Sequence, residues 1–135
     1  MFDATPSLSL TKFAAAMESF STPRNMEWHR LTVSEPGLAK VQRVKEWLDE
    51  ANRILFGVRY SPRASFAAQS NEVYLSLGAF GTGCMFVDEF DGKLTNTRGL
   101  RYKALPIGEV FLRENHQGLV DGYIRWFQLT ARQAE

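Results

Sequence analysis

Two histidines, one cysteine, a cluster of glycines and two short runs of charge are the residues of this chain whose types could do chemistry. His29 and His116 stand far apart in sequence. With Cys84 as the single cysteine, they fit no zinc spacing. His116 lies in Asn115-His116-Gln117-Gly118, a turn sequence, and reads as an exposed turn residue. Gly78, Gly81 and Gly83 give the run the glycine content of a phosphate-binding loop. Such loops follow a strand and open a helix, whereas here helical spacing comes before the glycines and a β-rich run after them. There is no Gly-Lys-Ser/Thr either. The glycines therefore read as a structural joint that supplies positive φ at a helix end and room for close packing. Cys84 has no basic neighbour to lower its pKa and is expected to be a buried, inert thiol. Asp88, Glu89 and Asp91 could bind a cation, but they also describe a solvated strand end. Arg98, Arg101 and Lys103, interleaved with Tyr102, could touch a phosphate backbone, or simply form the outer face of a strand. No nucleophile–base pair, acid–base pair or metal-ligand set emerges, so neither an enzyme nor a cofactor is expected.

Composition sets the bounds for the elements that position these residues. A length of 135 residues suits one domain, and 44% hydrophobic with 23% charged residues is that of a globular protein. A net charge of +1 gives no electrostatic case for nucleic acid or membrane as a partner. A single cysteine excludes an internal disulfide. No apolar run approaches the roughly 20 residues that span a bilayer. The first residues, MFDATPSLSLTKF, lack a basic stretch followed by an apolar one, so a secretory leader is not expected.

The segment Val73–Phe90 joins two periodicities: helical apolar spacing up to the glycines, then a continuous apolar run, Cys84–Val87. It predicts a buried helix that delivers a strand covered on both faces. Before it, Thr5-Pro6 reads as an N-cap and first helical residue, and Leu10, Phe13, Met17 and Phe20 form one stripe that Ser21-Thr22-Pro23 ends. Trp28–Val33 suggests a short strand. Ser34–Gly37 starts a second helix, striped by Leu38, Val41, Val44, Leu48, Ala51 and Leu55. Lys45 with Asp49, and Asp49 with Arg53, are i,i+4 pairs on its polar side. Ser61-Pro62 repeats the capping signature for a third helix, whose core face holds Phe66, Val73, Leu77 and Phe80. Its small, polar interior predicts a central helix packed against both others.

Asp91-Gly92 signals a turn, and Lys93–Thr97 a polar loop tip. Leu100, Tyr102 and Ala104 alternate with Arg101 and Lys103 as in a half-buried strand. Ile107–Leu112 and Val120–Leu129 are expected as the third and fourth strands. Thr130-Ala-Arg-Gln133 is a capping box that opens a further helix. The fold class is α+β: three N-terminal helices packed on a mostly antiparallel β-meander, ending at the start of a further helix. Residues 1–135 are expected to form a single domain, helical over about 5–80 and a β-meander over about 84–129.

The chain also resembles a known family. Phe2-Asp3-Ala4-Thr5 precedes Lys12-Phe-Ala-Ala-Ala-Met-Glu-Ser19, Thr22-Pro-Arg-Asn25 and Trp28-His-Arg-Leu31. Val44-Lys-Glu-Trp-Leu-Asp49, Glu72-Val-Tyr-Leu75 and Leu77-Gly-Ala-Phe-Gly-Thr-Gly83 follow. Leu105-Pro-Ile-Gly-Glu109, Glu114-Asn-His-Gln-Gly118 and Leu129-Thr-Ala-Arg-Gln133 complete the set. In order and spacing these resemble the N-terminal, wing part of the head-to-tail connecting, or portal, proteins of short-tailed bacteriophages. The resemblance implies a structural role without an active site. It implies a homo-oligomeric ring, a dodecamer in the family, through which double-stranded DNA is packaged and ejected. It implies terminase, capsid and tail proteins as partners, no membrane, and a place at the portal vertex of the virion, with the host cytoplasm as the site of assembly. Arg98, Arg101 and Lys103 would then make weak contacts to DNA or to another subunit. Members of that family run to several hundred residues, so the chain is expected to be a fragment of a larger portal protein. The alternative is a stand-alone interaction or nucleic-acid-binding module.

Overall fold

The computed structural model describes residues 3–92 and 97–134; of residues 90–92, 97, 98, 133 and 134 only the backbone is described. The fold is α+β. Helix α1 spans Thr5–Ser21. Ala4, not Thr5, occupies its N-cap. The Asp3 carboxylate explains this, because it accepts both the N–H and the hydroxyl of Thr5, at 2.9 and 2.6 Å. Ala14 is fully buried, Leu10 and Met17 are half-buried, and Phe20 turns outward at 87% exposure. The apolar stripe is thus narrower than its spacing predicts.

Residues 22–33 form no strand. They run as an extended strap across helix α2, Gln42–Arg59. Side chains replace a ladder here: the Leu31 N–H donates to Asn52 Oδ1 at 2.7 Å, and Arg30 meets Asp49 at 3.3 Å. The start of the second helix is broken. A 3₁₀ turn at Leu38–Lys40 is followed by extended Val41 (φ −73°, ψ 120°), which drops Leu38 and Val41 out of the stripe. Of the pairs on the polar side, Asp49 goes to Arg30 across the strap, and Arg53 takes Glu50 at 2.6 Å.

Helix α3 spans Phe66–Phe80 and begins later than Ser61-Pro62 suggests. Residues 61–64 form a turn closed by the Ala64 N–H on the Ser61 carbonyl, and Ser65 caps the helix with a left-handed φ of 54°. The Ala64 carbonyl accepts the Tyr102 N–H at 3.0 Å, so this turn is committed to a strand. Helix α3 packs on α1 and on the first hairpin; α2 reaches it chiefly where the Tyr60 ring stands edge-on to Phe66 at 5.3 Å. Packing against both helices is not what the fold shows.

The strands form two separate antiparallel hairpins. Strand β1, Cys84–Gly92, pairs with β2, Thr97–Leu105, in a register from Cys84↔Leu105 to Gly92↔Thr97. Asp91-Gly92 is therefore strand, and the expected loop tip falls largely on residues 93–96, outside the described residues. Strand β2 follows its alternation: Tyr102 is buried, Leu100 and Ala104 are half-buried, and Arg101 and Lys103 are exposed. Phe86 and Val87 are 37% and 50% exposed, so β1 is not covered on both faces. After a 3₁₀ turn at Ile107–Glu109, β3, Val110–Glu114, pairs with β4, Val120–Arg125. Both strands are shorter than expected, because Ile107–Glu109 turns and the Trp126 N–H bonds back to the Glu109 carbonyl. A four-residue helix α4, Ala131–Ala134, follows. The core is small: Ala64, Phe66 and Tyr102, flanked by Trp28, Tyr60, Met85 and Leu100.

Candidate functional site

The densest chemistry gathers around Arg59, near the C-terminus of α2. Its Nε donates to the Tyr102 hydroxyl at 3.3 Å, and its Nη1 donates to His29 Nδ1 at 3.2 Å. Its guanidinium lies 4.8 Å from the centre of the Trp28 ring and 5.5 Å from that of Phe66. Trp28 Nε1 donates to the Tyr60 hydroxyl at 3.0 Å, and that hydroxyl donates to the Thr22 carbonyl at 3.1 Å. The Thr22 and Tyr74 hydroxyls meet at 3.0 Å. Arg59 is always a donor, so His29 Nδ1 accepts and the ring proton sits on Nε2. Nε2 is buried without a partner. Burial first, and the Arg59 charge second, push the His29 pKa down; Glu27 pulls it the other way.

The Arg59 cluster joins the strap, α2, α3 and β2 through one guanidinium. Among the described residues no carboxylate pairs with Arg59, whose bonds go to the Tyr102 hydroxyl and the His29 ring, so what the arrangement can do is clamp. Sequence reading weighed His29 only as a metal ligand and missed the cluster, because its members come from four distant segments. The one local signal is Phe56 and Tyr60 at i,i+4 with Arg59 between them.

The sequence-derived candidates do not converge. Gly81 caps α3 at φ +75°, in open space. Gly78 faces α1, where a Cβ would meet Leu10 Cδ1 at 2.6 Å and Phe13 Cδ1 at 2.8 Å. Gly83 lies against α3, where a Cβ would meet the Val73 carbonyl oxygen at 2.8 Å. The close approach therefore belongs to Gly78 and Gly83, and the positive φ to Gly81. Gly81 is exposed, so the joint is not buried at that residue. Cys84 is free and half-buried, at a groove between the hairpins. His116 is exposed in its turn.

Arg101 is exposed and paired to Asp88 at 3.0 Å, and the other oxygen of Asp88 accepts the Glu89 N–H. Lys103 is exposed. The Arg98 and Asp91 side chains lie outside the described residues. Tyr102 points the opposite way, into the core, and cannot stack on a base beside Arg101. Among the described residues, no group of His, Cys, Asp or Glu could hold a metal ion, and no helix is long and apolar enough to cross a membrane.

Two apolar surfaces complete the picture. A groove of about 620 Å³ separates the hairpins, lined by Met85, Val87, Leu105, Val110, Leu112 and Tyr123 among others. A second, of about 450 Å³, runs along α2 between Trp47, Ala51, Ile54, Leu55, Val58 and Leu100. Surfaces of this kind suit protein contacts rather than small-molecule chemistry.

Comparison with known proteins agrees with that character. The chain is 31% identical over 131 residues to the "Portal protein" of Salmonella phage epsilon15, covering 97% of this chain and 22% of that protein. It is 31% identical over 134 residues to the "Probable portal protein" of Bordetella phage BPP-1, covering 98% of this chain and 23% of that protein. It thus spans under a quarter of the length of these relatives. No solved structure gives a significant match. The bacteriophage head to tail connecting protein profile matches residues 1–135, from end to end, and the chain belongs to that family.

Proposed function

We propose that this chain forms the wing-region part of a portal ring, the head-to-tail connector through which double-stranded DNA is packaged and ejected. The observation that carries the reading is the family match over all 135 residues, with relatives named as portal proteins. The role is structural rather than catalytic. Its partners are other copies in a homo-oligomeric ring, the terminase that docks during packaging, and the capsid and tail proteins on either side. It acts at one vertex of the virion and assembles in the host cytoplasm. Gly78, Gly81 and Gly83 serve as the joint between α3 and the first hairpin. Arg98, Arg101 and Lys103 make at most weak contacts to DNA or to a neighbouring subunit, because Asp88 already offsets Arg101. A near-neutral chain suits a ring that DNA slides through, since each added phosphate contact would strengthen binding.

Immunogold electron microscopy of phage particles, with antibody to this chain, tests the proposal. One labelled vertex per particle is expected. Label spread over the whole shell, or absent from particles, overturns it.

A further inference from the structure

The chain exposes 10790 Å² of surface. A monomeric protein of 15.3 kDa is expected to expose about 7,100 Å². The excess of roughly 3,600 Å² is more than one standard interface covers, since such contacts remove about 800 Å² from each partner. Two apolar shapes contribute to it. One is a protrusion, the β3–β4 hairpin. Its register puts Leu112 and Tyr123 on one face and Phe111 and Ile124 on the other. All four are exposed, at 59%, 60%, 55% and 64%. Leu112 and Tyr123 front the groove toward the chain's own β1, so the outward face is that of Phe111 and Ile124. The other shape is a recess, the α2 groove, with Trp47 and Ile54 at 68% and 53% exposure.

Several of the charges beside these two surfaces are already paired. Beside the hairpin, Arg113 pairs with Asp121 at 3.0 Å and Arg125 with Glu109 at 2.7 Å. Glu50, at the groove, is held by Arg53 at 2.6 Å. Covering paired charges avoids the large cost of leaving one charge alone. With a net charge of +1, copies of the chain do not repel one another.

We propose that the Phe111–Ile124 face of one copy packs into the α2 groove of a second copy. The contact is head-to-tail, so each copy gives its hairpin and receives another. One chain supplies both the protrusion and the recess, and using each once matches an excess larger than a single interface. A repeated contact of this type closes into a ring or runs into a filament. The closing into a ring rests on the connector reading; the contact itself does not.

Sedimentation of the chain over a wide concentration range tests the contact. The wild-type chain is expected to associate beyond a dimer. Ile124→Glu and Ile54→Glu are each expected to lose association. Mixed, they should give a 1:1 heterodimer and nothing larger, because each keeps the surface that the other lacks. Helical circular dichroism checks that both variants fold, and Phe111→Ser with Trp47→Ser provides a second pair if either does not. A wild-type chain that stays monomeric at every concentration overturns the contact. So does a variant that assembles like wild type, or a mixture that remains monomeric. None of these results touches the connector reading, which particle labelling decides.

Discussion

Gly81 and Gly83 stand two residues apart and are required for different reasons. At Gly81 the backbone is left-handed at φ +75° and the space beyond is open. Gly81→Val is therefore expected to cost at least about 1 kcal/mol through backbone conformation alone. Gly81→Asn should recover part of it, since asparagine tolerates that region. At Gly83, a Cβ would press on the Val73 carbonyl at 2.8 Å, and backbone cannot swing aside. Gly83→Ala is expected to cost about 1–3 kcal/mol through overpacking, with no relief from asparagine. Thermal melts of the four proteins, wild type included, separate the two causes; equal effects of Val and Asn at 81 would refute the conformational one. His29 gives a second test at this scale. Burial and Arg59 favour its neutral form, so its folded pKa lies below the usual 6.5. A group with a depressed histidine pKa binds fewer protons when folded than when unfolded. Stability is then full above the unfolded pKa and falls as pH drops through it toward the folded value. Wild-type unfolding midpoints should decline between neutral pH and about pH 5, more steeply than those of His29→Gln. Parallel curves would show that the ring is not held neutral.

The strap shows at the scale of elements why some structure was legible in the sequence and some was not. Strand β2 was legible because alternation of Leu100, Tyr102 and Ala104 with Arg101 and Lys103 is a local pattern, and burial follows it residue by residue. The glycine end of α3 was legible for the same reason. The strap was not: Trp28–Val33 has strand-like composition, but its partners are Asn52, Asp49, Arg59 and Tyr60, which no spacing links to it. The late start of α3 also has a distant cause, since the Ala64 carbonyl is taken by the Tyr102 N–H. The Arg59 cluster was illegible on the same ground. Tyr60 is its weak point, because one hydroxyl accepts from Trp28 and donates to Thr22. Tyr60→Phe removes both bonds and leaves the half-buried Trp28 Nε1 unpaired. The expected loss is about 1–3 kcal/mol, with Trp28 fluorescence shifting as the strap loosens. A loss below about 0.5 kcal/mol would mean that ring packing alone, and not the hydroxyl, holds the strap.

Across the whole molecule, order and burial are unevenly shared. Helices α1 and α3 pack on each other, and α3 covers β1–β2, where the Ala104 N–H also reaches Gln69 Oε1 at 2.6 Å. The β3–β4 hairpin has no comparable neighbour. Among the described residues its support is internal: the ladder, the Arg113–Asp121 and Arg125–Glu109 pairs, and the Asn115 side chain that accepts the Gln117 and Leu119 N–H groups at the turn. An isolated two-stranded hairpin is marginal in water. A segment with few buried apolar contacts opens locally at little free-energy cost. Hydrogen exchange of the dilute chain should therefore show the ladder amides of β3 and β4 exchanging far faster than those of α3. Raising the concentration into the range where copies associate should slow the hairpin amides and leave α3 unchanged, because the contact covers the hairpin and not α3. Hairpin amides already as protected as α3 in the dilute chain would mean that the hairpin is stable without a partner, and that its apolar faces need no neighbour.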